Sequence, residues 1–185
     1  MIKQFIKELV FRIRGEYTTE KLVRMGMTVG KHFGREEHVI LDPSFCWLIT
    51  IGDYVTLAPN VVILCHDAST RKFIGFTKCG CVSIGDHVFV GAGSYILPGV
   101  KIGDNVVIGA NSTVTHNVPS NSVYAGSPAK FIMSIEEFKL KNKEKCGLLP
   151  FFEKKYSLSH KVPYYLRIKQ KEILQNTNTM IGFID

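Results

Sequence analysis

Six histidines, His32, His38, His66, His87, His116 and His160, are the side chains best suited to moving protons near neutral pH. His66 differs from the others in its setting. It stands in NVVILCHDAST, where a regular stretch gives way to CHDASTRKFIGFTKCGCVS, a segment of mixed charge, glycine and aromatics with no period. An imidazole at the base of such a loop can serve as a general base toward a hydroxyl. Asp42, in ILDPS, and Asp67 are the carboxylates that could orient that imidazole or hold a bound acceptor, although Asp before Pro is also a frequent turn former. Cys65 beside His66 raises a thiol nucleophile. Adjacent residues on a strand point to opposite faces, so Cys65 reads instead as a small packing residue. A metal site would need His66, His87 and His116 to converge with short reach. His87 is the fourth residue of IGDHVF, where IGDNVV has Asn105, and this equivalence makes it a corner residue.

The elements that position these groups follow from a six-residue repeat. Residues 84–119 read IGDHVF, VGAGSY, ILPGVK, IGDNVV, IGANST and VTHNVP, and the same unit runs upstream as FCWLIT, IGDYVT, LAPNVV and ILCHDA. An aliphatic residue at every sixth place suits neither a helix of period 3.6 nor a lone strand of period 2. It suits an all-β solenoid whose short strands each turn one side chain into a continuous column. The expected column is Phe45, Ile51, Leu57, Ile63, Ile84, Val90, Ile96, Ile102, Ile108 and Val114. A second column is Val55, Val61, Val88, Val100, Val106 and Val118. Gly52, Gly85, Gly103, Asn60, Asn105 and Asn111 fall at the corners, where the left-handed backbone region is expected.

The repeat is interrupted between Ile63 and Ile84, which predicts a loop over 66–83 leaving the coil. VGKHFG from Val29 is read as an irregular first unit, broken by Arg35 to His38. Ile2, Phe5, Ile6, Leu9, Val10 and Ile13 follow helical spacing, so residues 1–26 form an amphipathic helical segment. It packs on the solenoid end or, as an alternative, touches a membrane surface. Residues 134–185 form a helical tail, with SIEEFKLKNKEK as one helix and a second near Pro163 to Gln175. The net charge is +7, yet residues 37–133 hold five Lys/Arg against six Asp/Glu, so the excess lies in the two ends. No aromatic–basic platform accompanies it, which argues against nucleic acid. Five cysteines without a framework spacing, no signal peptide and no membrane span point to the cytoplasm.

These units resemble those of the hexapeptide-repeat acyltransferases over about residues 27–133. The resemblance implies a left-handed parallel β-helix in which three units make one coil, so that Ile84 stacks under Ile102, Val90 under Ile108 and Ile96 under Val114. IGDYVTLAPNVVILCH is similar to the family segment that ends in a catalytic histidine, which implies that His66 is the general base. VTHNVPSNSVYAGSPAKFI is similar to the family's coenzyme A segment, which implies contacts from Gly91, Ala92, Gly109, Ala110, Thr115, His116 and Lys130. His116 and Asn117 depart from the Lys and Asp usual there. LDPSFCWLITIGDYVTLAPNVVILCHDAST and the closing IGFID are similar to galactoside, maltose and, above all, capsule and lipopolysaccharide O-acetyltransferases. The implied reaction moves an acetyl group from acetyl-CoA directly to a sugar hydroxyl, without a metal, in a homotrimer with sites between subunits. Alternatives are an antibiotic acetyltransferase, a zinc-dependent γ-type carbonic anhydrase on His66, His87 and His116, and a non-catalytic scaffold.

Overall fold

The computed structural model describes residue 13 and residues 15–157 and 161–184. The amphipathic pattern from Ile2 to Val10 and His160 lie outside the described residues. Thr18 caps a short helix, α1 (Thr19–Arg24), by accepting from the Lys21 amide at 3.2 Å. Among the described residues the chain then completes four coils. The first is β1 (Thr28–Val29), β2 (Gly34–Arg35) and β3 (Ile40–Leu41), and the second is β4 (Ile49–Ile51), β5 (Thr56–Leu57) and β6 (Val62–Ile63). A hairpin leaves the coil here: β7 (His66–Asp67), a helical turn α2 (Arg71–Ile74) and β8 (Lys78–Cys79). The third coil is β9 (Val82–Ile84), β10 (Phe89–Val90) and β11 (Tyr95–Ile96), and the fourth is β12 (Lys101–Ile102), β13 (Val106–Ile108) and β14 (Thr113–Val114). β15 (Ser122–Ala125) adds a further parallel strand, and β16 (Lys130–Ser134) runs antiparallel to it.

Strands at equivalent places in successive coils pair in parallel and build three sheets around one core. The inward columns are Val29, Ile51, Ile84 and Ile102; Arg35, Leu57, Val90 and Ile108; and Leu41, Ile63, Ile96 and Val114. The three expected stacks are therefore present. Each fully buried aliphatic contributes roughly 1.5–3 kcal/mol. The second column is buried as well, and Ser94 and Ser112, both 0 % exposed, take its place in one sheet. Their hydroxyls donate to the Gly109 carbonyl at 2.9 and 2.7 Å, which satisfies them inside the core.

Four expectations change, the last of them at the corner glycines. Phe45 does not enter the column, because Cys46–Leu48 forms a 3₁₀ turn and Ile51 pairs with Ile84 instead. Arg35 to His38 does not break the first unit. Arg35 occupies an inward place level with Leu57, and His38 turns the corner at φ 58°. A buried cation must find partners. The Arg35 guanidinium donates to the Tyr17 and Val39 carbonyls at 2.7 and 2.6 Å and lies 3.8 Å from Glu16, closing the first end of the core. The predicted loop 66–83 is a hairpin that ends earlier, since Val82 and Ile84 are already buried in the sheet.

The corners show why the unit reads I-G-D. Tyr54, His87 and Asn105 carry the positive φ, at 55°, 55° and 54°, whereas Gly52, Gly85 and Gly103 do not. Those glycines are needed for space. A Cβ at Gly52 or Gly85 would overlap the carboxylate of the aspartate in the following coil. That carboxylate has its own bond to make: Asp53, Asp86 and Asp104 accept the amides of Lys31, Asp53 and Asp86 at 2.6, 2.7 and 2.8 Å. The left-handed positions stack outside this ladder, with the Tyr54 ring 4.4 Å from His32 and 4.8 Å from His87.

Residues 136–185 form a separate compact unit. It holds helix α3 (Ile135–Leu148), then β17 (Phe151–Phe152), helix α4 (Tyr164–Gln175) and β18 (Phe183–Ile184), and the two strands pair in parallel. Phe152, 4 % exposed, packs against Tyr156 with ring centroids 5.2 Å apart. Among the described residues no helix is long and apolar enough to cross a membrane.

Gly85→Ala is expected to destabilise the coil by about 1–3 kcal/mol, because the new methyl must displace Asp104 and the Gly103 carbonyl carbon 2.9 Å away. Thermal unfolding followed by circular dichroism measures it, and an unchanged Tm would refute the close-packing account.

Candidate active site

The site gathers at the corner between the third sheet and the first. Two insertions enter there, the stretch between Leu41 and Ile51 and the hairpin that begins at His66. Leu41 and Ile63 are neighbours in the sheet, so the residues that follow them leave the coil side by side. This places Asp42 against His66. The Asp42 Oδ2 lies 2.5 Å from His66 Nδ1 and also accepts the Cys65 amide at 2.9 Å, while Oδ1 accepts the Ser44 amide at 3.1 Å.

Burial separates the roles of the two partners. The Asp42 side chain is 1 % exposed and the His66 side chain 34 %. A carboxylate enclosed this far and already accepting three donors is placed to orient the imidazole, not to touch an acceptor. With Nδ1–H directed at Asp42, the lone pair is on Nε2. The half-buried Phe45 ring lies 5.0 Å from the imidazole, at 40°, and limits its rotation from one side.

Asp67 takes no part in this contact. Its carboxylate accepts the Ser69 amide at 2.8 Å and pairs with Lys78 at 2.9 Å across the hairpin. Hydrogen bonds from Ser69 and then Lys78 hold it well below the usual carboxylate range, so it stays ionised as a hairpin residue. Cys65 is 0 % exposed, and burial, with the charge of Asp42, pushes its thiol up to about 12. A thiol so hard to ionise is a poor nucleophile. The core takes its side chain while His66 faces outward.

The three histidines of the metal reading occupy different places. His87 turns the first corner on Tyr54, and His116 is bonded through Nδ1 to the Thr115 hydroxyl at 2.7 Å. Among the described residues no three His, Cys, Asp or Glu side chains gather where they could hold one ion.

The segment expected to meet coenzyme A runs along the later coils. Gly91 and Gly109 are explained by packing: a Cβ at Gly91 would lie 2.5 Å from the Ala110 nitrogen, and one at Gly109 would lie 2.8 Å from the Ala125 Cβ. Ala92 and Ala110 flank the same corner one coil apart, as the bond from the Asn111 amide to the Ala92 carbonyl records. Among the described residues their own amides donate to no backbone carbonyl. Lys130 is exposed at the start of β16, opposite Ala125.

Phe45 and Trp47 both lie in the first of the two insertions, outside the columns. The available signal was the excess of residues between Leu41 and Ile51, whereas β1, β2 and β3 keep the six-residue step.

Comparison with known proteins agrees with this architecture. Residues 81–116 match the family described as bacterial transferase hexapeptide (six repeats). The chain is 35 % identical to Protein CapG of Staphylococcus aureus over 87 % of its own length and 96 % of CapG. It is 32 % identical to the galactoside O-acetyltransferase of Escherichia coli K12, over 73 % and 69 % of the two chains. Among solved structures, a hexapeptide-repeat acetyltransferase of Vibrio cholerae in complex with acetyl coenzyme A superposes with a TM-score of 0.51 at 31 % identity, covering 59 % of this chain and 60 % of that one. With its six-residue columns, its I-G-D corners and these relatives, the chain belongs to the hexapeptide-repeat acyltransferase family of enzymes.

Proposed function

We propose that the protein transfers an acetyl group from acetyl-CoA directly to a sugar hydroxyl, with His66 as general base and Asp42 as the residue that orients it. The observation that carries this reading is the 2.5 Å contact of His66 Nδ1 with a carboxylate that is 1 % exposed. It directs Nε2 away from the core and stabilises the imidazolium that forms when the base takes a proton. Nε2 removes the proton of the acceptor hydroxyl as its oxygen bonds to the thioester carbonyl carbon. The C–S bond then breaks, and the imidazolium returns the proton to the leaving thiolate. The thioester is already activated, so His66 and hydrogen-bond donors for the oxyanion are sufficient.

Acetyl-CoA as donor is supported by the complex of the Vibrio cholerae relative and by the Ala92 and Ala110 amides, which donate to no backbone carbonyl among the described residues. Thr115, His116 and Lys130 are the polar groups of the same terminal coils, and Lys130 would meet a phosphate as a point charge. A sugar acceptor is supported by the galactoside O-acetyltransferase relative. The resemblance of LDPSFCWLITIGDYVTLAPNVVILCHDAST to the segments of capsule and lipopolysaccharide O-acetyltransferases supports an acceptor from surface polysaccharide synthesis. Family likeness likewise supports left-handed winding of the coil and a homotrimer with sites between subunits. The described cysteines are all free, in keeping with a cytoplasmic enzyme.

His66→Ala is expected to leave a folded protein and to lower kcat on the order of 10²–10⁴-fold. Acetyl-CoA consumption against maltose, methyl β-D-galactopyranoside, UDP-N-acetylglucosamine, serine and chloramphenicol measures it. Near-normal turnover in the variant would remove His66 from the mechanism, and turnover of chloramphenicol alone would replace the sugar reading. Asp42→Asn should lower kcat with little change in either KM, because it affects orientation rather than binding. Cys65→Ala should keep turnover within a few-fold of the parent, and its loss would restore the thiol reading. Acetyl-CoA at about 100 Kd should stabilise the fold by about 2.7 kcal/mol, read as a rise in Tm. No shift at millimolar ligand would favour a scaffold.

A further inference from the structure

The insertion that delivers Asp42 to the core also carries a side chain in the opposite direction. Trp47, the chain's only tryptophan, is 53 % exposed. Its backbone is nevertheless fixed from three sides. Cys46, 0 % exposed, directs its Sγ at the carbonyls of Leu22 and Met25, 3.7 and 3.9 Å away. The Leu48 amide closes the turn on the Phe45 carbonyl at 2.9 Å. Gly26, at φ 110°, lies so near that a Cβ there would come within 2.9 Å of Trp47 Cβ. A large aromatic on a rigid mount, left half in solvent, forgoes the stabilisation that burial would bring.

Trp47 is also continuous with the base. Its ring lies 5.5 Å from Phe45, and Phe45 lies 5.0 Å from His66. Phe45 therefore touches both rings and links the exposed indole to the imidazole. The C–H groups on the apolar face of a pyranose carry partial positive charge, and the face of an indole is the negative region of its quadrupole. A sugar lying on such a face keeps its hydroxyls at the ring edge, free to reach a neighbouring base.

We propose that Trp47 is the stacking platform of the acceptor subsite, taking a pyranose through its C–H face so that one ring hydroxyl meets His66. This rests on the sugar-acceptor reading above and adds to it a specificity-determining residue. Acceptors without a contiguous C–H face, such as serine, gain nothing from this surface.

Because Trp47 is the sole tryptophan, the intrinsic emission of the full chain reports on it alone. The probe is whichever of maltose, methyl β-D-galactopyranoside or UDP-N-acetylglucosamine is acetylated in the turnover panel. The expected result is a saturable change in emission whose midpoint follows the sugar's KM. Trp47→Ala should raise that KM about 10-fold, and Trp47→Phe, which keeps an aromatic face, should stay within about 3-fold. The KM for acetyl-CoA should be unchanged in both. If a sugar is acetylated while emission and the variants' sugar KM do not move, the platform is refuted and the sugar reading survives. If emission responds to protein dilution and not to sugar, a second copy covers the indole and the proposal is wrong. If no sugar is acetylated, the sugar reading fails and the platform fails with it. Should Trp47→Ala not fold, the emission titration and Trp47→Phe still decide.

Discussion

Everything in the coiled body depends on the parallel hydrogen bonding of each coil to the next at one register. Ile51 must lie on Ile84, and Ile84 on Ile102, or the inward side chains leave the core. The corners are where this is hardest to keep, since the chain turns there and its amides lose the sheet ladder. The I-G-D unit answers both demands. The aspartate accepts an amide of the preceding coil, and the glycine leaves room for the aspartate of the following one. A third residue, Tyr54, His87 or Asn105, takes the left-handed conformation that closes the turn.

Extra residues enter such a fold at corners, because an insertion within a strand would shift a column. Both insertions of this chain enter at the corner after the third sheet. They arrive beside one another, so the neighbourhood of Asp42 and His66 follows from the pairing of Leu41 with Ile63. The same corner separates inward from outward chemistry. Asp42, Cys46 and Cys65 are sealed in the core, while His66 and Trp47 reach solvent. The Asp42 carboxylate is held by the Ser44 amide and by the Cys65 amide of the adjacent coil, which fixes its place beside His66.

The histidines illustrate how far residue type can mislead. His32, His38 and His87 are all at positive φ, where His and Asn are tolerated better than most residues. Their value to the protein is conformational, and the equivalence of His87 with Asn105 made this readable for His87 alone. Arg35 was not readable in the same way. A charged residue in a hydrophobic column looks like a break in the repeat until the Tyr17 and Val39 carbonyls and Glu16 are seen around it.

The sequence by itself determined most of the two columns, the corner positions and the interruption at His66. These are properties of spacing, and a six-residue period admits few packings. Tertiary structure decided what spacing does not encode. It chose Asp42 over Asp67 as the partner of His66, and it placed Cys65 in the core. It moved Phe45 from the column to the imidazole, and it gave the left-handed corner conformation to Tyr54, His87 and Asn105 and left the glycines as close contacts. In each case the deciding contact joins residues on different coils, so it exists only after the coils have stacked.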